Sequence, residues 1–182
     1  MATAVQQYVG TYEIDPSHSS VQFAVSHQGV STFRATFADV EGRLTVERDD
    51  FALEGSVRVE SVSIGEPPEF REHVVRSTDF FDADTYPLIT FRATDVALEE
   101  DGTAIVSGEL EIRGISRQVS ASGVHQSPRQ DPFGATRAGL ELRTTVDRRR
   151  WGMNWQLPLP DGTHAVGWNV EITVVLEFVR AD

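Results

Sequence analysis

The amino-acid sequence predicts an all-β fold, an antiparallel barrel that carries one short helix. Three observations support this prediction. Apolar and polar residues alternate along most of the 182-residue chain, as in strands with one buried face. The phase of the alternation changes repeatedly, which is typical of bulged strands that coil around a barrel. The last alternating run, from Val166 to Phe178, corresponds to about 40 Å of strand, a length more common in tall barrels than in sandwiches.

The clearest strand runs from Ser19 to His27. One face of this strand carries Val21, Phe23 and Val25 between Ser19 and His27. Serine, glutamine and alanine occupy the other face. The apolar face is therefore predicted to point into the barrel. His27 continues that face, and it is either a hydrogen-bonded core histidine or a polar group beside the head of a ligand.

Three changes of phase predict bulges or sharp bends in the strands. They fall near Ala38, between Val59 and Val62, and between Ala93 and Val96.

Two further alternating stretches, Ile89–Leu98 and Thr103–Ile112, flank Asp101-Gly102. They are predicted to form a hairpin with a two-residue turn, because glycine readily adopts the positive φ that such a turn requires. The stretch Ser127–Thr136 contains prolines and a glycine without apolar periodicity, so it is predicted to be a loop at a barrel rim.

One segment, Pro68–Arg76, has the features of a short helix. Proline stands at its start, acidic residues follow in the first turn, and apolar residues recur at helical spacing. Val74, Val75, Phe80 and Phe81 would form the apolar face of a lid over one barrel end.

Length and composition bound the organisation of the chain. We expect residues 1–182 to form a single barrel domain, with residues 1–10 as an N-terminal extension. No apolar run approaches the roughly 18 residues of a membrane helix, and the N-terminus does not resemble a signal peptide. Cysteine is absent, which excludes disulfides. A soluble protein in the cytoplasm, without stable membrane insertion, is the expectation.

The charge of the chain excludes some partners. The formal net charge is −12, and all 16 basic residues are arginines. Nucleic acids and acidic membrane surfaces are therefore not expected as partners, because they would be repelled.

Large apolar side chains on the predicted inward faces are candidates for a cavity wall. Any single one could equally be a plain core residue. As a set they favour a cavity, because one barrel has little room for so many rings. The set comprises Phe23, Val25, Phe37, Phe91, Trp151, Met153, Trp155 and Trp168.

A basic run, Arg148-Arg149-Arg150, follows a predicted strand. Alternation would place Arg148 and Arg150 on one side of that strand, so at least one arginine faces inward or toward the rim. An inward arginine either binds a phosphate or quinone oxygen, or pairs with an acid such as Asp147 or Asp131.

Catalytic and metal-binding readings are weaker. Asp15, His18 and Ser19 are the residue types of a hydrolytic triad, but close sequence neighbours rarely form the required relay. Asp15 and Ser17 are better explained as caps of a turn at Pro16. The histidines lack the close spacing of metal motifs, so no metal and no cofactor is expected.

Five strings of the sequence, taken together, resemble those of the YceI-like proteins, which are lipocalin-like barrels associated with polyisoprenoid lipids. One departure is Val74, which stands where that family usually has a histidine, whereas His73 lies one position earlier. The strings, in the order of the family, are Ile14–Ser19 with Val21–His27, Arg76–Asp82 with Tyr86–Phe91, Gly108–Ser116, Asp131–Gly134 with Arg137 and Gly139, and Asp147–Trp155.

The resemblance implies an eight-stranded antiparallel lipocalin-like barrel with one short capping helix and an apolar tunnel. The tunnel would bind or carry the long isoprenoid chain of a quinone or a polyprenyl phosphate, and the protein would not be an enzyme. A homodimer is compatible with this. The ligand-binding residues expected are the cavity set above together with His27, Phe80, Phe81 and Arg150.

Two other functions are compatible with the same residues. One is a lipocalin-like hydrolase or isomerase that acts on a small apolar substrate through His18 or His27. The other is an interaction module whose cavity has no ligand.

Overall fold

The computed structural model describes residues 6–48 and 50–181, which form a closed antiparallel barrel of eight strands with one short helix. The predicted lipocalin-like all-β fold is confirmed. Ten strand segments and the helix α1 build it: β1 (Gly10–Ile14), β2 (Ser20–His27), β3 (Ser31–Phe37), β4 (Val40–Glu47), β5 (Asp50–Arg58), α1 (Pro68–Arg76), β6 (Leu88–Leu98), β7 (Thr103–Ile112), β8 (Ile115–Gln130), β9 (Thr136–Asp147) and β10 (Val166–Arg180).

Two bends explain why ten segments make eight strands. β1 and β2 both pair with β10 and are separated by the 3-10 turn Pro16–His18. β4 pairs with β1 and β3 pairs with β2, so these two segments also act as one strand that bends near Ala38. The pairing of β1 with both β4 and β10 closes the barrel.

The predicted changes of phase all coincide with irregularities. The chain bends at Ala38, a 3-10 turn spans Val59–Ser61, and the β6–β7 register shifts between Ala93 and Asp95. A further shift, between Val166 and Val170 of β10, was not predicted from the sequence.

The β6–β7 hairpin is confirmed, but its turn is longer than predicted. The Glu99 N–H donates to the Thr103 carbonyl at 2.8 Å, which leaves Glu100, Asp101 and Gly102 as a three-residue loop. Gly102 has φ +90°, as the left-handed position of such a loop requires.

Half of the stretch Ser127–Thr136 is strand, so the loop predicted there is shorter than expected. β8 continues to Gln130 because the β8–β9 register shifts between Gln126 and Arg129, and a bulge of this kind accommodates Pro128. The loop itself is only Asp131–Ala135.

The helix has the predicted bounds and lies across one end of the barrel, here called the α1 end. Its own residues Val74 and Val75 are buried. The Arg71 guanidinium anchors it by donating to the carbonyls of Glu60, Val62 and Ile64 at 2.8 to 3.0 Å. Among the described residues, no helix has the length and apolar character needed to cross a bilayer.

The opposite end, here called the Tyr8 end, is solidly packed. Tyr8, Tyr12, Val46 and Phe178 are at most 2% exposed and fill the lumen there. Tyr8 belongs to the segment predicted to be an extension, so at least this part of residues 1–10 is core. Residues 1–5 lie outside the described residues.

Candidate functional site

The half of the barrel toward the α1 end is hollow. It encloses a cavity of about 430 Å³ lined by side chains from all eight strands and from α1. Lining residues on β10 extend from Val166 to Leu176, which corresponds to a depth of about 25 Å for strands tilted by roughly 40°. The cavity is therefore long and narrow.

Side chains fill only one half of the barrel. An eight-stranded barrel is just wide enough for side chains to fill its interior. The rings of Tyr8, Tyr12 and Phe178 fill the Tyr8 end, whereas the larger set of rings toward the α1 end lines the wall and leaves the axis open. A narrow space consequently remains above the packed layer.

Ten of the twelve residues predicted to bind a ligand line this cavity. Strand alternation identified the inward face correctly on β2, β3 and β6, and Phe80 and Phe81 reach the cavity from the turn after α1. Contact with a ligand remains a prediction for these residues, which are Phe23, Val25, His27, Phe37, Phe80, Phe81, Phe91, Trp151, Met153 and Trp155.

Trp168 does not line the cavity. It lies within the unpredicted shift of β10, where the alternation of side chains is broken. Its ring packs instead against the guanidinium groups of Arg148 and Arg149, at 4.5 and 4.8 Å, and against His164.

Arg150 also lies outside the cavity. Residues Arg148–Trp151 form a 3-10 turn, so strand alternation does not apply to them. The Arg150 side chain is exposed, donates to the Gln118 carbonyl at 2.8 Å and lies over the ring of Trp151.

Arg148 is the arginine that faces the cavity. It is 3% exposed and donates to four backbone carbonyls, those of Met153, Trp155, Val166 and Gly167, at 2.5 to 3.3 Å. These carbonyls belong to residues 152–167, here called the strap, which crosses the α1 end.

No carboxylate of the described residues forms an ion pair with Arg148. Asp147 binds Arg149, and Asp131 binds Arg137, so neither is the partner considered from the sequence. Burial lowers the pKa of Arg148, because the charged form loses hydration. An apolar cavity thus has one buried positive charge in its wall.

His73 is a second polar group in the wall, and the sequence analysis did not select it. Its Nε2 lies 2.8 Å from Asp79 Oδ2, and its ring contacts Trp155 and Phe80 edge-on. The resemblance had placed a histidine at the next position, which is Val74. Both side chains line the cavity, so the one-residue displacement keeps a histidine at this wall.

The cavity opens at the α1 end. Several exposed lining residues lie there, among them Phe70 of α1, Gln28 of the β2–β3 turn and Leu157 of the strap, whereas Glu41 of β4 and Glu54 of β5 are exposed lining residues of the side wall. Val74, Phe80 and Phe81 line the cavity beside this mouth as predicted, whereas Val75 is buried without lining it.

The Tyr8 end is closed by a buried hydrogen-bond chain. Tyr8 Oη lies 2.7 Å from His125 Nδ1, and His125 Nε2 lies 2.8 Å from the Glu99 carbonyl. Because a carbonyl only accepts, Nε2 carries the proton. Burial raises the pKa of Tyr8 to about 12, so this hydroxyl stays protonated and can donate.

The Asp15–His18–Ser19 group lies outside the cavity and forms no catalytic relay. His18 Nδ1 lies 2.9 Å from Asp15 Oδ2, but Ser19 Oγ bonds to the backbone of Glu177. Asp15 accepts from the Ser17 N–H at 2.9 Å, as the capping interpretation predicts.

Asp15, His18 and Glu177 bring three potential metal ligands within 4.8 Å of one another. Arg137, however, donates to Asp15 and Glu177 at 2.9 and 2.5 Å and to Asp131 at 2.8 Å. Its guanidinium neutralises the same oxygens, so the cluster fits a structural ion-pair network better than a cation site.

A half-hollow eight-stranded barrel with a helix at its mouth defines the lipocalin-like class of fold. The chain belongs to the YceI-like family, since the model of the YceI-like domain matches residues 12–178.

Relatives and solved structures are consistent with this. The chain is 31% identical to a UPF0312 protein of Ectopseudomonas mendocina, covering 96% of this chain and 90% of the relative, and 28% identical to one of Shewanella baltica, covering 99% and 91%. BcnA of Burkholderia cenocepacia has a similar fold, with a TM-score of 0.70, 19% identity, and coverage of 90% and 98%. A polyisoprenoid binding domain of Saccharophagus degradans gives a TM-score of 0.65 at 13% identity, with coverage of 93% and 98%.

Proposed function

We propose that this protein binds one isoprenoid lipid in the barrel cavity and carries it without chemical change. The observation that carries the proposal is the shape of the cavity, which is long, narrow, apolar, closed at the Tyr8 end and open at the α1 end. A slender hydrocarbon chain fits such a space better than a compact ring system. The polyisoprenoid-binding neighbour and the family membership support the proposal.

The cavity volume bounds the length of tail that is enclosed. At roughly 30 Å³ for each water-sized group, 430 Å³ accommodates about 14 groups. Burial of that many carbons contributes about 11 kcal/mol before entropic costs, below the practical ceiling of about 20 kcal/mol. A tail of about 15 carbons therefore fills the cavity, and a longer one extends through the mouth.

The head group belongs near Arg148. Its buried guanidinium is the positive charge of the wall, and an electronegative oxygen close to it would gain a charge-assisted hydrogen bond. A phosphate gains more than a neutral hydroxyl. The head would then lie at the α1 end and the tail would point toward Tyr8.

Carriage rather than turnover is supported by the polar groups of the wall. His73 of the wall is oriented by Asp79, but no serine or threonine hydroxyl of the described residues hydrogen-bonds to its ring. His27 also lines the cavity, and neither a carboxylate nor a hydroxyl of the described residues hydrogen-bonds to its ring, so neither histidine has the nucleophile of a hydrolytic relay in place.

The experiment combines ligand detection with a matched pair of variants. Organic extraction of the purified protein and mass spectrometry should reveal a prenyl lipid, and farnesol should quench the fluorescence of Trp151 and Trp155 in the lipid-free protein. Phe23→Asp, which puts a charge into the cavity, should abolish quenching, because a buried unpaired charge costs several kcal/mol. Val124→Asp, at a residue 47% exposed, should retain it.

Circular dichroism must show that both variants are folded. Quenching that survives Phe23→Asp in a folded protein would place the ligand elsewhere. Conversion of the prenol to a new species would indicate an enzyme instead of a carrier.

A further inference from the structure

Three exposed apolar side chains surround the cavity mouth. Val30, at the tip of the β2–β3 turn, is 83% exposed, Leu157 of the strap is 55% exposed, and Phe70 of α1 is 37% exposed. Leu157 and Phe70 also line the cavity, so the apolar surface continues from the interior to the outside.

Direct contacts hold these three segments together. The Gln28 N–H donates to the Ala165 carbonyl at 2.6 Å, and the Ala165 N–H donates to the Leu157 carbonyl at 2.9 Å. On the other side, the ring of Phe70 meets that of Phe33 edge-on, with centroids 5.5 Å apart. The turn, the strap and the helix therefore form one continuous rim.

The rim is depleted of charge. Residues 26–32 and 152–160 contain no aspartate, glutamate, lysine or arginine, although such residues make up 24% of the chain and its net charge is −12. We call these two segments together with Phe70 the mouth rim. Exposed apolar side chains on segments that carry no charge of their own are characteristic of a surface that leaves water on contact with a partner.

We propose that the mouth rim docks on the surface of an electroneutral lipid bilayer, so that a lipid passes between bilayer and cavity without crossing water. The proposal rests on the proposed function for its cargo. A bilayer fits better than a protein, because the apolar surface is continuous with the mouth of a cavity suited to a hydrocarbon chain.

Charge determines which kind of bilayer the mouth rim would prefer. Glu69 and Glu72 of α1 and Asp161 of the strap are exposed next to the rim, and the whole molecule is strongly negative. Anionic headgroups would repel this surface, whereas zwitterionic headgroups would not. The rim is therefore expected to prefer phosphatidylcholine vesicles to vesicles that also contain phosphatidylglycerol.

Flotation with phosphatidylcholine vesicles tests the docking directly. Val30→Glu and Leu157→Glu should each weaken vesicle binding about tenfold, because a charge replaces a side chain that leaves water. The matched control is Phe133→Glu. Phe133 is 95% exposed but lies in the loop Asp131–Ala135 at the Tyr8 end, so its replacement should have no effect.

Loading of geranylgeraniol separates docking from cavity binding. Val30→Glu, which changes a residue outside the cavity wall, should load it more slowly from vesicles but bind it from detergent solution as the unmodified protein does. Absence of vesicle binding, equal binding by all variants, or a loss confined to Phe133→Glu would overturn the proposal. Weaker binding from detergent by Val30→Glu would also overturn it, since this part of the rim would then be cavity wall. Failure of the unmodified protein to bind the prenol from detergent would instead contradict the proposed function.

Discussion

Arg148 holds the strap, and in the proposed function it would also contact the head group of the ligand. Four backbone carbonyls surround its guanidinium, and all of them belong to the strap. Carbonyl dipoles compensate part of the cost of burying a charge, but they do not neutralise it. An anionic head group would do so, which is why the residue bears on ligand preference.

Replacement of this arginine should therefore discriminate between ligands. We expect Arg148→Gln to weaken binding of geranylgeranyl phosphate at least tenfold more than binding of geranylgeraniol, since hydrogen bonds to charged groups contribute about 1.5–3 kcal/mol. Titration of both ligands by tryptophan fluorescence provides the measurement.

The control for Arg148→Gln is Gln156→Ala. Gln156 also ties the strap, because its side chain donates to the Val166 carbonyl and accepts from the Val166 N–H, but it carries no charge. Its loss should affect both ligands alike. If Arg148→Gln weakened the binding of both ligands equally, the role of the arginine would be only to hold the strap.

At the scale of elements, α1 is the part of the structure best placed to move. A helix of nine residues is marginal alone, so its stability comes from Val74, Val75 and the contacts of Arg71. The strands, in contrast, are paired on both sides around most of the barrel. Opening at the α1 end is therefore less costly than opening between strands.

Hydrogen exchange should report this difference. In the lipid-free protein we expect the amides of α1 to exchange faster than those of β9 and β10, and to slow most when geranylgeraniol binds, because the ligand packs beneath Val74 and Phe81. The loop Asp131–Ala135 at the Tyr8 end serves as an internal control. Ligand protection confined to that loop would instead indicate that the ligand enters at the Tyr8 end of the barrel.

At the scale of the whole molecule, one ion network joins distant parts of the chain. Arg137 of β9 binds Asp15 between β1 and β2, Asp131 in the β8–β9 loop, and Glu177 of β10. The hydrogen bond from His18, followed by that from Arg137, lowers the pKa of Asp15 from 3.8 to about 2. The charged form of Asp15 is thus bound more favourably in the folded state than in the unfolded chain.

This lowered pKa predicts a pH dependence of stability. The contribution of Asp15 is complete above its unfolded pKa of 3.8 and is lost as the pH falls through about 2. Asp15→Asn should therefore lower the free energy of unfolding at neutral pH, and its difference from the unmodified protein should shrink between these two values. Denaturant titrations across this range measure it.

Asp95→Asn is the control for the acid range. Asp95 is exposed on β6 and forms no ion pair with the described residues, so its replacement should leave the unfolding free energy nearly unchanged. A constant difference between Asp15→Asn and the unmodified protein down to pH 2 would contradict the linkage.

Local patterns in the sequence determined the elements and most inward faces. Alternation identified Phe23 and Phe37 as inward residues, and the two prolines and Glu69 at positions 67–69 predicted where α1 begins. These features depend on backbone period and capping, which neighbouring residues control. The strings shared with the YceI-like family identified the family and the barrel.

Only the tertiary structure decided which half of the barrel is hollow, which end is closed and which arginine faces inward. Each depends on side chains distant in sequence that meet at one level of the barrel, as Tyr8 meets His125 and Arg148 meets the strap. The shift in β10 that turns Trp168 away from the cavity is likewise a property of its pairing with β2. Alternation along one strand contains no information about such meetings, because it specifies a face but neither a level along the axis nor a neighbour.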